Sequence, residues 1–114
     1  MRESKMKIFI TANGLEDIPT CAEPASKEVQ ACKEWITKFT TKRKTINDKH
    51  WSYGLKHKVE KWVGFYIPNG AFIQAAVELG YDYKRVRKGL NANFNMSFPR
   101  VRTKEYNEAF GFRD

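Results

Sequence analysis

Across residues 52–98 the spacing of apolar side chains changes from a helical period to a period of two, and no single class of secondary structure accommodates both. In SYGLKHKVEKWV, Leu55, Val59, Trp62 and Val63 fall on one helical stripe, while Lys56, His57, Lys58, Glu60 and Lys61 spread over the rest of the circumference. Ser52 is an acceptable N-cap, Gly64 a helix stop and GFYIP a turn. Asn69 then caps GAFIQAAVELG, which Gly80 ends; with only Gln74 and Glu78 as interior polar residues, this helix is expected to be buried on most sides. Beyond Gly80 the period becomes two. In NANFNMSF, Ala92, Phe94, Met96 and Phe98 share one face and Asn91, Asn93, Asn95 and Ser97 the other, as a half-buried strand requires. Residues 81–87 can pair with it through a turn at Lys88-Gly89-Leu90.

Upstream, residues 7–11 (KIFIT) have the β-branched and aromatic content of a short strand, which the turn dipeptide Asn13-Gly14 ends. Residues 14–25, with Pro19 and Pro24, read as a loop. From Ser26, a plausible N-cap, SKEVQACKEWITKFT places Val29, Cys32, Ile36 and Phe39 at spacings of three and four, with Trp35 beside them, and so predicts a first amphipathic helix. The polar, basic run TKRKTINDK reads as a solvated helix end and loop. The expected architecture is α+β: a compact three-helix core with a C-terminal β-hairpin over residues 26–98, a short N-terminal strand, and a tail at 99–114 that docks as a short helix or wraps the core.

A chain of 114 residues with sixteen aromatics can fill one core, so a single domain over 1–114 is expected. No apolar run approaches the ~18 residues of a membrane span, and MRESKMKIFITANG carries an apolar stretch only at residues 8–10. Cys21 and Cys32, without an export signal, are expected as reduced thiols in a cytoplasmic protein. The net charge of +8 is unevenly placed. Residues 1–40 hold six basic and six acidic residues, whereas residues 41–104 hold fourteen basic and four acidic ones. Such a surplus, if it shares a face, supplies the salt-sensitive phosphate contacts of nonspecific nucleic-acid binding, or matches an acidic protein surface.

The order helix, helix, turn, helix, hairpin resembles a winged helix-turn-helix domain over residues 26–98. That resemblance implies DNA binding through the third helix, yet GAFIQAAVELG offers almost no Arg, Lys, Asn or Gln for base edges. Contacts are therefore expected from Lys42, Arg43 and Lys44, from Lys56, Lys58 and Lys61, and from Lys84, Arg85, Arg87 and Lys88 at the hairpin. These seek phosphates, DNA more than RNA, and give little base specificity. Asn91, Asn93 and Asn95 either add hydrogen bonds to bases or sugars or form the solvent face of an edge strand.

The blocks S-Y-G-L-K-H at 52–57, Y-I-P-N-G-A-F-I at 66–73 and N-A-N-F-N-M-S at 91–97 resemble a group of small accessory proteins of phages, plasmids and related mobile elements. That resemblance implies a setting: binding DNA, regulating genes, or blocking a host defence system such as a CRISPR complex. The first reading is thus a nucleic-acid-binding accessory or regulatory protein; the alternative is an inhibitor that occupies a host protein complex.

Catalytic and metal patterns are weak. His50 and His57 lack a third ligand, and with Cys21 and Cys32 they show neither C-x₂₋₄-C nor H-x₃₋₅-H spacing, so no metal or cofactor is expected. No Ser/His/Asp set or Gly-rich phosphate loop is visible, and Glu60 and Glu78 read as salt-bridge partners of a non-enzyme. Trp51, Tyr53, Trp62, Phe65 and Tyr66 crowd the second helix and its turn. Trp62 and Phe65 suit a core; Trp51 and Tyr53 suit a core or the stacking of single-stranded bases equally.

Overall fold

Eight elements follow one another over residues 7–98, the part of the chain that the computed structural model describes: β1 (Phe9–Thr11), β2 (Gly14–Glu16), α1 (Ser26–Phe39), β3 (Thr41–Asn47), α2 (Ser52–Val63), α3 (Asn69–Glu78), β4 (Tyr83–Arg85) and β5 (Ala92–Ser97). The fold is α+β, with three helices, a two-stranded sheet β1-β2 and a three-stranded antiparallel sheet in the order β3-β5-β4. The tail expected to dock from residue 99 onward lies outside the described residues. Among the described residues, no helix is long and apolar enough to cross a membrane.

Each helix starts one residue earlier than its polar residue suggested. Ala25 is the N-cap of α1, and Glu28 reaches back so that its Oε1 accepts the Ala25 N–H at 3.0 Å, the carboxylate half of a capping box. Trp51 and Pro68 take the same place before α2 and α3. This frees Ser52 and Asn69 for tertiary bonds: the Ser52 hydroxyl accepts the Ala92 N–H at 3.1 Å and so joins α2 to β5. The C-terminal stops fall where expected. Gly64 adopts φ 86°, and α3 ends in a Schellman motif, with Gly80 at φ 88° and the Tyr81 and Gly80 N–H groups returning to the carbonyls of Ala76 and Val77.

The core lies where α1, α3 and β5 meet. Trp35 and Phe72 pack edge to face at 6.0 Å, and Phe72 and Phe94 tilt together at 5.5 Å. All three side chains are fully buried, each worth ~1.5–3 kcal/mol in apolar transfer. Ala92, Phe94 and Met96 on one face of β5, with Phe98 just beyond the strand, are buried apolar side chains, as the period-two spacing requires.

Its other face corrects the sequence reading. β5 is the central strand and not an edge, and Asn93 and Asn95 are buried. Their amides clamp the flanking chain. Asn95 Oδ1 accepts the Asp82 N–H at 2.8 Å while its Nδ2 donates to the Arg43 carbonyl at 3.0 Å, and Asn93 Nδ2 donates to the His50 carbonyl at 2.9 Å.

The run read as a loop, TKRKTINDK, supplies the missing neighbour β3. Thr41 pairs with Ser97, Lys42 with Met96 and Asn47 with Phe94, so five steps along β3 match two along β5. The surplus bulges outward at residues 43–46. Asn47 Nδ2 closes the bulge on the Met96 carbonyl at 3.0 Å.

The stretch 14–25 is not all loop either. β2 pairs with β1 around Ala12 and Asn13, with Gly14 at φ 131°. This hairpin docks on the start of α3, where the Gly70 N–H donates to the Ala12 carbonyl at 3.0 Å. A Cβ at Gly70 would lie 1.5 Å from the Thr11 carbonyl oxygen, so only glycine permits the approach. The Leu15 N–H meets the Leu90 carbonyl at 3.0 Å, and Arg85 ties the far side through Asp17 at 2.7 Å.

The β4–β5 hairpin turns one residue earlier than expected. The Gly89 N–H returns to the Val86 carbonyl at 2.8 Å around Arg87 and Lys88, at φ 52° and 62°. Two successive positive φ values define a primed turn that favours Asn-Gly, so two long basic residues there carry strain.

Candidate functional site

The ten cations named from the sequence divide into three groups. Arg43 and Lys44 sit exposed on the β3 bulge, with Lys42 beside them at the strand start and its ammonium 5.4 Å from the Tyr81 ring. Lys84, Arg87 and Lys88 are exposed on the β4–β5 hairpin. Lys58 and Lys61 lie on α2, and burial, then the like charge of Lys61, hold the Lys58 ammonium below the ordinary lysine range. Among the described residues, Lys42, Arg43, Lys44, Lys61, Lys84, Arg87 and Lys88 make no ion pair with a carboxylate. Cations without a carboxylate partner among the described residues thus flank β5 on both sides.

Arg85 and Lys56 leave the exposed set. The Arg85 side chain is 16% exposed and fully engaged: with Asp17, with the Leu15 carbonyl at 3.2 Å and with the Gly89 carbonyl at 2.8 Å. It is a tie between the two hairpins. Lys56 is buried, its side chain 4% exposed, because it lies with Ser52, Leu55 and Val59 on the one face of α2 that packs inward.

Around Lys56 lies a constellation that the sequence reading missed. Tyr53, Lys56, His57 and Glu60 recur at helical spacing, which places them on one stripe of α2. Glu60 Oε2 accepts from Lys56 Nζ at 3.0 Å and from the Ile67 N–H at 3.1 Å, and Glu60 Oε1 meets His57 Nδ1 at 2.8 Å. Burial alone would raise this carboxyl; the Ile67 N–H, Lys56 and His57 outweigh it and hold the group below the usual carboxylate range. The Lys56 ammonium also stands 5.1 Å from the Tyr53 ring and 4.6 Å from the Tyr66 ring.

Those rings open onto a pocket of about 660 Å³ that Asn13, Asn69, Leu90 and Asn91 complete. Tyr53 and Tyr66 are 53% and 66% exposed at its mouth. Asn69 Nδ2 lies 3.1 Å from the Asn13 carbonyl, 3.2 Å from the Leu90 carbonyl and 3.1 Å from Asn91 Oδ1. Its Oδ1 is buried and, among the described residues, has no hydrogen-bond partner. The three sequence blocks at 52–57, 66–73 and 91–97 supply or adjoin these walls. A signal was present in the helical spacing of Tyr53, Lys56 and Glu60; the contribution of residues 12–13 and 89–91 had none.

Glu60 and Glu78 do form salt bridges, the latter with Lys33 at 2.6 Å. Trp62 packs edge to face on Phe39 at 5.7 Å, and Phe65 lies against the core. Cys21 is exposed and Cys32 buried, both as free thiols, with burial and then the Glu28 charge pushing the Cys32 thiol far up. Among the described residues no cluster of His, Cys, Asp and Glu is arranged to hold a metal. Comparison of the chain with protein-family models, curated proteins and solved structures finds no match.

Proposed function

We propose that this protein is a small non-enzymatic nucleic-acid-binding protein of accessory or regulatory type, serving a phage or other mobile element and holding the phosphate backbone of DNA. The order α1-β3-α2-α3-β4-β5, with β5 between β3 and β4, suits a winged-helix-like reading. One observation carries the proposal: Arg87 and Lys88 occupy strained positive-φ positions at an exposed hairpin tip without a carboxylate partner among the described residues. Strain of this kind persists where a function uses it. Contacts are assigned to Arg43, Lys44, Lys84, Arg87 and Lys88; Lys56 and Arg85 are withdrawn as phosphate contacts because Glu60 and Asp17 already neutralise their charges. Recognition is carried by phosphates and not by base edges in the major groove, because α3 is buried.

The test couples stability to binding. The double substitution Arg87→Asn with Lys88→Gly is expected to raise unfolding stability by ~1–2 kcal/mol, because Asn-Gly suits the turn. The same variant is expected to lower the slope of log affinity against log salt by about two phosphate contacts. Urea unfolding and a salt titration of a labelled DNA duplex read the two effects. An unchanged salt slope, or no binding at ~50 mM salt, overturns the proposal.

The burial of α3 favours one further reading, an inhibitor of a host defence complex that presents the same basic edges to an acidic protein surface. A host-lysate pull-down with nuclease treatment separates the two. A stoichiometric partner that survives nuclease belongs to the inhibitor.

A further inference from the structure

The pocket between Tyr53, Tyr66 and Asn69 adjoins the cationic hairpin, since Gly89 and Leu90, which line it, directly follow Arg87 and Lys88. Its chemistry differs from theirs. Glu60 already neutralises Lys56 at 3.0 Å, so the pocket is not a second phosphate site. What it presents is a pair of exposed aromatic rings, an ammonium with N–H donors beyond the one bonded to Glu60, and the amides of Asn13, Asn69 and Asn91. Asn69 is 5% exposed and keeps an acceptor oxygen without a partner among the described residues, so protein groups do not complete the polar balance at this wall.

We infer that this pocket takes an unpaired nucleobase. A flat ring stacks on Tyr53 or Tyr66, an exocyclic carbonyl or ring nitrogen at its edge accepts from Lys56, and its ring or amino N–H groups face the asparagine amides. A base that remains paired in a duplex cannot enter, because its edge is already engaged and its faces are stacked. The inference rests on the nucleic-acid reading above: Arg87 and Lys88 would hold the phosphate beside the base that the pocket holds. Together they make the protein selective for single-stranded or locally opened nucleic acid over intact duplex. A free nucleotide offers the same base chemistry without the strand.

Anisotropy titrations at low salt with three labelled strands of equal phosphate number separate the possibilities: a base-bearing single strand, an abasic strand and a duplex. The base-bearing strand is expected to bind about tenfold or more tightly than the abasic one. Tyr66→Ala and Tyr53→Ala are each expected to remove most of that difference, while Tyr66→Phe preserves it. Both rings are exposed, so these variants keep the fold. A nucleoside monophosphate that perturbs the Tyr53 and Tyr66 ring resonances while competing with the strand supports the site and points to the free nucleotide as an alternative source of the base. Abasic and base-bearing strands bound equally, with equal affinity in the tyrosine variants, overturn the pocket assignment and leave the phosphate reading standing. Failure of the abasic strand and duplex to bind, with the base-bearing strand still bound, does the reverse.

Discussion

Gly70→Ala is expected to cost ~3 kcal/mol or more in urea unfolding, since it has the closest Cβ approach among the described glycines. The added carbon would fall 1.5 Å from the Thr11 carbonyl oxygen and 2.7 Å from its carbon, both backbone atoms that no rotamer change can move. Relief requires the whole β1–β2 hairpin to lift from α3, which breaks the bond from the Gly70 N–H to the Ala12 carbonyl. Gly54→Ala is the matched control. Nothing lies within 4 Å of a Cβ there, and the residue sits in α2, so the same chemical change should raise stability by ~0.5–1 kcal/mol. Equal effects at the two positions would refute the close packing of hairpin on helix.

The second large effect belongs to Glu60→Gln, expected to cost ~2–4 kcal/mol. Removing one partner of a buried ion pair typically costs ~3–5 kcal/mol, and partial exposure of Glu60 reduces that through solvent screening. The variant retains an amide oxygen for the Ile67 N–H but leaves the Lys56 ammonium without its carboxylate. The pH dependence has a definite sign. The folded carboxyl titrates below its ordinary value of 4.5, so on acidification the unfolded chain takes up the proton first. The stabilisation is complete above that ordinary value and is lost as pH falls through the lower folded one. Glu78, held low by Lys33 and Gln74, adds a similar acid slope to wild type and variant alike. The difference between the two unfolding curves therefore isolates Glu60. A variant as acid-sensitive as the wild type would remove Glu60 from this role.

What could be read from the residues follows from which physical signals are local. The helices of residues 26–39, 52–63 and 69–78 and the strand at 92–97 announce themselves through apolar periodicity, because each buries a regular stripe. β3 has no such stripe. Its residues 41–45 are exposed, and its place beside β5 is set by amides of Asn95 and Asn47 about fifty residues apart in sequence from their acceptors. β2 is three residues long and held by tertiary contacts at Gly14 and Gly70, so turn chemistry alone could only suggest a loop. The asparagine face misled for a related reason: alternation reports which side of a strand is apolar, and not whether amides on the other side find backbone partners. For the candidate site, charge was legible but partnership was not. Lys56 looks like its neighbours in sequence although Glu60 stands one turn away on the same helix, and Arg85 is diverted by Asp17, which folding brings to it across 68 residues.

The Asn69 amide gathers carbonyls 56 residues before it and 21 after it, and Arg85 reaches a carbonyl 70 positions away. High contact order of this kind implies a kinetic hierarchy: helical hairpins collapse quickly, while closure over such long loops comes late. On a translating ribosome the aromatic walls at 53 and 66 would emerge well before residues 89–91 arrive to enclose them. Enclosure of the pocket should therefore be the last feature completed during biosynthesis.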